Sequence, residues 1–421
     1  MKKRTTFPDR VEKAVAGTIF PITQNTGAHT MSEQISIKQR IYDAIAENGS
    51  ISRIRLAEKY NLRLATVTEV TRSLLEDQLV MEAGEEESTG GRKPVLLKIN
   101  PFAFFTIGLR LSPEHLSGGV FNSALEQKYE VVEPTRPDMN GPQFLELLDR
   151  TVQRLLAESG IPAIQLKGIG VGLPNRVNLD TGIYDGVSYY PQLPPTPLKD
   201  HLEDCFQVPV VVDHDVVLMT MAEYYLSGAS VPDNLGVLFI GQGIGSRFVI
   251  NGEIYRGVTN RAGEFGHLSL QTDGPACYCG NRGCFERLAS LEAIERNYGG
   301  GKTFEEIVDR AMNHDARAVA VLNQAAGYIA LGCANIINLL DVEMLVINGD
   351  IVLARQLLEP VIQEQLARQV IGSRANEQRR VVFSLIGKKV GTLGPALMAA
   401  DANFQLMDIN IFPKRREHPQ A

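Results

Sequence analysis

The sequence predicts an α/β protein with two lobes that follow a small helical domain. Its 421 residues suit two or three domains of about 100–200 residues each. From about Pro101 onward, short apolar segments rich in valine and isoleucine alternate with segments of helical periodicity. The predicted strands are Phe104–Leu109, Gly118–Phe121, Ile161–Gly172, Val208–Val212, Leu235–Gly241 and Met344–Gly349. The predicted helices are Phe144–Ser159, Val216–Leu226 and Ala318–Leu340.

The composition is that of a globular protein with enough apolar residues for a sizeable core. Hydrophobic residues make up 44% of the chain and charged residues 22%. The net charge of -7 excludes a surface that is basic throughout, so any contact with nucleic acid is local. No segment approaches the roughly 18 apolar residues of a membrane helix, and the basic N-terminus has no apolar signal segment. We therefore expect a cytoplasmic protein with no membrane insertion, and residues 1–31 as a flexible tail.

Residues 32–100 have the pattern of a winged helix-turn-helix domain. Isoleucines at every fourth position from 37 to 45 predict the first helix. Ser52 is the expected N-cap of a second helix, Arg53–Tyr60, and a short turn leads to a third, Leu64–Asp77. The strand-like segments Leu79–Glu82 and Val95–Lys98 then flank a polar loop with glycines, which is the pattern of a wing.

This order of elements predicts a DNA-binding surface on the third helix and the wing. Side chains expected in the major groove are Arg63, Thr66, Thr68 and Arg72, and those expected in the minor groove are Arg92 and Lys93. Three consecutive glutamates at 85–87 oppose such binding, because they repel phosphates. The alternative is a small helical domain that binds nothing.

Three of the five cysteines lie within eight residues, close after a histidine. The cluster consists of His267, Cys277, Cys279 and Cys284. A Cys₃His set of this density predicts one structural zinc ion per chain. Gly280 and Gly283 allow the tight turns that would point the sulfurs at one ion. Three ordinary thiols are the alternative; a redox pair fits poorly, because the spacing is Cys-x-Cys.

Three further features could carry chemistry. The glycine-rich segment 241–245 lies between two predicted strands, so it is either a loop that presents N–H groups to a ligand or a tight hairpin. Asp215 follows a predicted strand and is suited to act as a general base, although a helix N-cap is the favoured interpretation. Glu264 and Glu286 bracket the cysteines and could accept hydrogen bonds from sugar hydroxyls; otherwise they are solvated acids.

These motifs together resemble the ROK family (repressors, open reading frames and kinases), in particular its NagC/Mlc-like transcriptional regulators. The resemblance extends from about Ile35 to Ala400 and depends most on segments 241–245, 263–267 and 277–286. It implies a two-lobed, actin-like sugar-kinase fold with an N-terminal winged helix-turn-helix domain. Residues 32–100 would be the DNA-binding domain and residues 101–421 the sugar-sensing domain with the zinc loop.

The sequence departs from the family's kinases at their phosphate loop. Arg110 stands where the kinases carry a metal-associated aspartate, and Ser112-Pro113 replace a glycine pair. A cation repels magnesium, and proline lacks an N–H that could bind phosphate. Asp215 matches the kinases' catalytic base, but related repressors keep that residue too. We therefore expect that this protein has no useful kinase activity and is not an enzyme.

The resemblance also implies a sugar pocket. Its predicted residues are Asp215, Glu264, His267, Glu286 and Gln192. Gln192 stands where kinases often carry an asparagine, and Pro174-Asn175 replaces their usual Pro-Gly turn. An altered or phosphorylated sugar is therefore as good an expectation as plain glucose, and an empty pocket is a further alternative. The sequence thus predicts a transcriptional repressor of genes for carbohydrate uptake or metabolism, assembled as a homodimer or homotetramer on an operator DNA. The alternatives are an ATP-dependent sugar kinase and a repressor controlled by a sugar-transport protein.

Overall fold

The computed structural model describes residues 37–85, 93–174, 177–179, 181–184, 190, 192–226, 232–371 and 380–405. The predicted tail at residues 1–31 lies outside this part of the chain. Two units are distinguished by their internal contacts. The first comprises Met1–Val231 together with Val390–Ala421, and the second is Pro232–Lys389.

The N-terminal head of the first unit has three helices and three strands. They are α1 (Ile37–Asn48), β1 (Ile51–Ser52), α2 (Arg53–Tyr60), α3 (Leu64–Glu76), β2 (Val80–Glu85) and β3 (Val95–Ile99). The strands form an antiparallel sheet in the order β1-β3-β2. The Ser52 side chain accepts a hydrogen bond from the Arg55 N–H at 3.4 Å, which confirms the predicted cap of α2. The three helices and the hairpin of the sequence prediction are therefore present.

The rest of the first unit is built on a mixed sheet of five strands. Its strands are β4 (Phe105–Leu111), β5 (His115–Asn122), β6 (Gln127–Pro134), β7 (Leu166–Leu173) and β10 (Val210–His214), with a separate pair formed by β8 (Ile183–Tyr184) and β9 (Thr196–Pro197). Its helices are α4 (Gly141–Ser159), α5 (Leu198–Phe206), α6 (Asp215–Leu226) and α12 (Val390–Gln405). The sheet order is β10-β7-β4-β5-β6, with β4, β7 and β10 parallel. The predicted strand Ile161–Gly172 begins only at Leu166, since a short 3₁₀ helix occupies Ala163–Gln165.

Two glycines let the C-terminal helix lie directly on this sheet. A Cβ atom at Gly108 on β4 would lie 1.8 Å from the carbonyl oxygen of Thr392. A Cβ atom at Gly170 on β7 would lie 1.9 Å from the carbonyl oxygen of Pro395. Both distances are far below van der Waals contact, so only glycine fits at these positions. Helix α12 therefore completes the core of the first unit from the far end of the chain.

The second unit repeats the same strand order. Its strands are β11 (Leu235–Ile240), β12 (Ile244–Ile250), β13 (Glu253–Ile254), β14 (Met344–Asn348) and β15 (Arg380–Phe383). Its helices are α7 (Phe285–Ala289), α8 (Leu291–Tyr298), α9 (Phe304–Met312), α10 (Ala316–Leu340) and α11 (Arg355–Gln369). The sheet order is β13-β12-β11-β14-β15, an antiparallel triplet followed by two parallel strands, as in the first unit. The mixed α/β fold with a sheet in each unit confirms the predicted class.

Helix α10 is the central helix of the second unit's core. Its inward face carries Leu322, Ile329 and Ile336, none of which is more than 1% exposed. By length and composition alone, this helix could cross a membrane. However, 61% of its most apolar 18-residue segment is buried inside the fold. A long apolar helix that is mostly buried is typical of a protein core.

Candidate functional site

The predicted metal ligands converge in the second unit. His267 Nδ1 lies 3.6 Å from Cys277 Sγ, and Cys279 Sγ lies 3.6 Å from Cys284 Sγ. All four ligand atoms lie within 4.8 Å of one another. Two atoms bound at about 2.0–2.3 Å to one tetrahedral zinc ion are about 3.3–3.8 Å apart. The four predicted ligands are therefore close enough together to hold one metal ion, and the two 3.6 Å separations lie in the tetrahedral range.

The backbone around this cluster explains how the ligands are brought together. The Cys277 N–H donates to the Asn281 carbonyl at 2.8 Å, which closes the loop that carries two of the sulfurs. Gly280 and Gly283 have φ values of 95° and 60°, a left-handed region that favours glycine. At Gly283 a Cβ atom would also lie 1.6 Å from the Gln271 carbonyl oxygen. The predicted tight turns at both glycines are confirmed.

The three thiols lie so close together that each changes the pKa of the others. Burial and the neighbouring sulfurs raise the pKa of Cys284 to about 12. Burial likewise raises the pKa of Cys277. The pKa of Cys279 is lowered: burial opposes its thiolate, but hydrogen bonds from the Asn281 backbone and the other two cysteines outweigh that cost. Without a metal, only Cys279 favours its thiolate form, whereas Cys277 and Cys284 favour the thiol. A bound cation would stabilise the thiolate form of all three.

Glu286 joins the cysteine loop to the glycine-rich segment. Its Oε2 accepts a hydrogen bond from the Ile244 N–H at 2.9 Å, and the residue is 5% exposed. Burial raises the pKa of this carboxyl group, and the Ile244 hydrogen bond opposes that rise. The alternative of a solvated surface acid is therefore wrong for Glu286. Its carboxylate fixes the end of the β11–β12 hairpin, which is the structure that the glycine-rich segment forms.

Glu264 and His267 each have a neighbour that the sequence analysis did not identify. Glu264 Oε1 lies 3.2 Å from Nη2 of Arg247, whose side chain is 3% exposed while that of Glu264 is 50% exposed. His267 directs Nδ1 to the sulfurs and Nε2 to the Tyr278 hydroxyl, 3.3 Å away. The sequence offered one signal for each contact: Arg247 is a charged residue within an apolar strand, and Tyr278 lies between two cysteines. Both fix the orientation of a predicted ligand-binding side chain.

In the first unit, Arg110 forms an ion pair with Asp215. Arg110 Nε lies 3.1 Å from Asp215 Oδ2, and the Asp215 side chain is 6% exposed. The other carboxylate oxygen, Oδ1, accepts the Val216 N–H at 2.8 Å and lies 3.3 Å from His214 Nδ1. Asp215 is itself the first residue of α6, so the expected N-cap position is wrong by one residue. The carboxylate nevertheless binds the N-terminal end of that helix.

The remaining predicted residues divide among other places. Gln192 is exposed in the first unit, as is Lys93, two residues before β3. Arg72 on α3 and Arg63 at its N-cap position are exposed, whereas Thr66 and Thr68 are half-buried. The opposite face of α3 buries Val67, Thr71 and Leu74, so α3 presents its two arginines to solvent. Arg92 lies outside the described residues.

Known proteins similar to this chain include repressors and transcriptional regulators. The xylose repressor of Bacillus spizizenii is 25% identical over 383 residues, which cover 89% of this chain and 95% of the repressor. The DNA-binding transcriptional dual regulator NagC of Escherichia coli is 28% identical, over 79% of this chain and 84% of NagC.

Solved structures agree with this similarity. A ROK-family transcriptional regulator, described as a homologue of the Escherichia coli Mlc protein, superimposes with a TM-score of 0.73 at 26% identity. The match covers 89% of this chain and 98% of the regulator. ROK-family sugar kinases are also among the similar structures. The ROK family model itself matches residues 106–402, well over half of the sequence. The chain belongs to the ROK family.

Proposed function

We propose that this protein is a cytoplasmic transcriptional repressor of sugar-metabolism genes, which binds operator DNA through its head and a sugar or sugar phosphate through its ROK domain. The ion pair between Arg110 and Asp215 is the observation that carries the proposal. The carboxylate that would act as a kinase's base is held by a cation, and that cation stands where a kinase carries a metal-associated aspartate. The similar regulators support the same function.

The proposed DNA contacts are on α3 and the wing. Arg63 and Arg72 project from α3 away from the face that packs in the head. Thr66 and Thr68 lie between them, and the Thr68 hydroxyl donates to the Leu64 carbonyl at 2.8 Å, which leaves its oxygen able to accept. Arg92 and Lys93 belong to the proposed wing. A homodimer or homotetramer would present two heads to a pseudo-palindromic operator.

In the ROK domain, we propose that His267, Cys277, Cys279 and Cys284 hold one structural zinc ion. The ion would fix the loop from which Glu264, His267 and Glu286 offer groups to sugar hydroxyls. Asp215 and Gln192 are the other proposed sugar ligands. Tyr278 and Arg247 support this role, because each contacts one of these side chains and limits its motion.

DNA binding is tested by selection of genomic fragments, followed by gel shifts at two salt concentrations. We expect a complex that weakens as salt rises, because bound phosphates release counterions. Arg72→Ala should weaken it and reduce the salt slope by about one if the residue contacts a phosphate. Arg368→Ala is the matched control, since Arg368 is an exposed arginine on α11 of the second unit. If no fragment gives a salt-dependent complex, the proposed function is wrong.

Sugar binding is tested by thermal shift against sugars and sugar phosphates. A ligand that binds only the folded protein raises the melting temperature. Glu264→Gln should abolish the shift for the ligand that the wild type binds. No shift with any member of the panel would instead favour control by a sugar-transport protein. A coupled kinase assay with ATP and magnesium tests the enzyme alternative, which turnover above background would restore.

A further inference from the structure

A second group of metal-ligand side chains lies in the first unit, whereas the cysteine loop belongs to the second. His201 and Cys205 are four residues apart on α5, so they lie on one face of that helix. Asp149 on the neighbouring helix α4 faces them. His201 Nε2 lies 2.9 Å from each carboxylate oxygen of Asp149 and 3.7 Å from Cys205 Sγ. The ligand atoms of all three lie within 4.8 Å of one another.

The geometry resembles that of the four-ligand cluster. The separation of 3.7 Å between His201 Nε2 and Cys205 Sγ is close to the 3.6 Å between His267 Nδ1 and Cys277 Sγ. Both values match two ligands on one tetrahedral ion, which are about 3.3–3.8 Å apart. The 2.9 Å between His201 and Asp149 is shorter, so the imidazole would move by about 0.4 Å to admit an ion.

A plain ion pair between His201 and Asp149 explains only part of this arrangement. Such a pair needs one carboxylate oxygen on the ring nitrogen and does not need a thiol beside it. Here two oxygens and a sulfur converge on the same nitrogen, Nε2. Asp204, next to Cys205 on α5, adds further negative charge near the sulfur. Negative charge and converging donors of borderline softness favour a divalent transition-metal ion.

We propose that Asp149, His201 and Cys205 form a second metal site, specific for a borderline divalent ion such as Zn²⁺. Binding displaces the Cys205 thiol proton to solvent and leaves a thiolate, an imidazole and a carboxylate on the ion. Cys205 is exposed, so water completes the coordination. With three protein ligands and access to solvent, this site exchanges its metal more readily than the cysteine-loop cluster.

The bound ion would hold α4 against α5. Helix α5 leads directly into β10, whose last residues precede Asp215. Metal occupancy would therefore stiffen the segment next to the ion pair of Arg110 and Asp215. The site depends on neither DNA binding nor sugar binding, so its test is independent of the proposed function.

The experiment counts metal ions bound by the full-length protein. After removal of all metal, the chain is dialysed against Zn²⁺ and its content is measured. We expect two ions per wild-type chain, and one in Cys205→Ser and in His201→Asn. Asp204→Asn is the control, because it removes a nearby charge but no ligand, and it should keep two ions. Cys279→Ser, which breaks the other cluster, should keep one.

Titration with Co²⁺ provides a second readout. With the cysteine-loop cluster already filled by Zn²⁺, wild-type protein should show a new thiolate-to-cobalt absorption band that Cys205→Ser lacks. A wild-type chain that saturates at one ion would overturn the proposal. Equal zinc contents and equal cobalt spectra in wild type and Cys205→Ser would overturn it as well. Melting temperatures of the metal-free variants report whether the substitutions disturb the fold.

Discussion

The guanidinium of Arg110 lies 3.1 Å from the carboxylate of Asp215, and both side chains are largely buried. Removal of either side chain breaks this ion pair and leaves the remaining charge less well compensated in a poorly solvated place. Arg110→Ala and Asp215→Asn should therefore each destabilise the protein. The double variant should lose less than the sum, with a coupling energy of about 1–3 kcal/mol in urea unfolding.

A surface pair serves as the control for this cycle. Arg368 and Glu364 are four residues apart on α11, and both are more than half exposed. Their coupling should be about 0.3–0.5 kcal/mol. Equal coupling in the two cycles would mean that Arg110 does not neutralise Asp215.

The cysteine-loop cluster predicts a specific loss of metal. Cys279→Ser should bind about one zinc ion per chain fewer than the wild type when both are loaded with Zn²⁺, because an alcohol is a poor zinc ligand. Cys333→Ala is the control: Cys333 is a buried cysteine on α10, and its loss should leave the zinc content unchanged. A zinc content of Cys279→Ser equal to that of the wild type would show that the ligands are other residues. Both contents are measured by atomic spectroscopy.

The buried carboxyl group of Glu286 predicts a pH dependence of stability. Its pKa is raised in the fold by burial. The folded state therefore binds the proton more tightly than the unfolded chain does. Stability contributed by this group is greatest at low pH and falls as pH rises from the unfolded pKa, about 4.3, through the folded value. Because glutamine does not titrate, the unfolding free energy of Glu286→Gln should rise relative to wild type across that window.

Glu306 provides a comparison of opposite sign. Its hydrogen bond with Lys302, together with the Thr303 N–H, lowers its pKa. Glu306→Gln should therefore lose stability relative to wild type at neutral pH, with a difference that disappears in acid. Urea unfolding between pH 3 and 8 measures both differences. A Glu286→Gln difference that is independent of pH would contradict the prediction.

Close packing at Gly170 predicts severe destabilisation by one methyl group. Gly170→Ala would bring Cβ to 1.9 Å from the Pro395 carbonyl oxygen, so α12 or β7 must move. We expect a loss of at least about 2 kcal/mol in unfolding free energy. Gly327→Ala is the control, because its nearest neighbour would be a side-chain atom at 3.5 Å. Alanine is favoured within α10, so that variant should gain up to about 1 kcal/mol.

Features set by nearby residues were predictable from the sequence. Ser52 caps α2 because an N-cap acts on the residues that follow it. The cysteine cluster was predictable because three of its ligands lie within eight residues and glycines mark the turns. Periodicity also identified α4, α6 and α10, each to within three residues of its start.

Features that depend on distant parts of the chain were not predictable in this way. Nothing near Glu286 indicates that its carboxylate meets the Ile244 N–H, 42 residues away. The ion pair of Arg110 with Asp215 joins residues 105 positions apart, although the type of each residue was informative. Asp149 and His201 belong to two helices whose packing no local pattern specifies. Strand β15 is short and has few residues from which to infer a period.

The return of α12 to the first sheet has a consequence for synthesis in the cell. Residues 390–405 leave the ribosome after the entire second unit, yet their backbone fills the space that Gly108 and Gly170 leave open. The head at residues 37–99 can fold early, as local elements do during translation. The sheet behind it stays uncovered on one side until translation is nearly complete. A nascent chain thus carries a folded head before the sheet of the first unit is complete. A prematurely terminated product would expose apolar surface to chaperones and proteases.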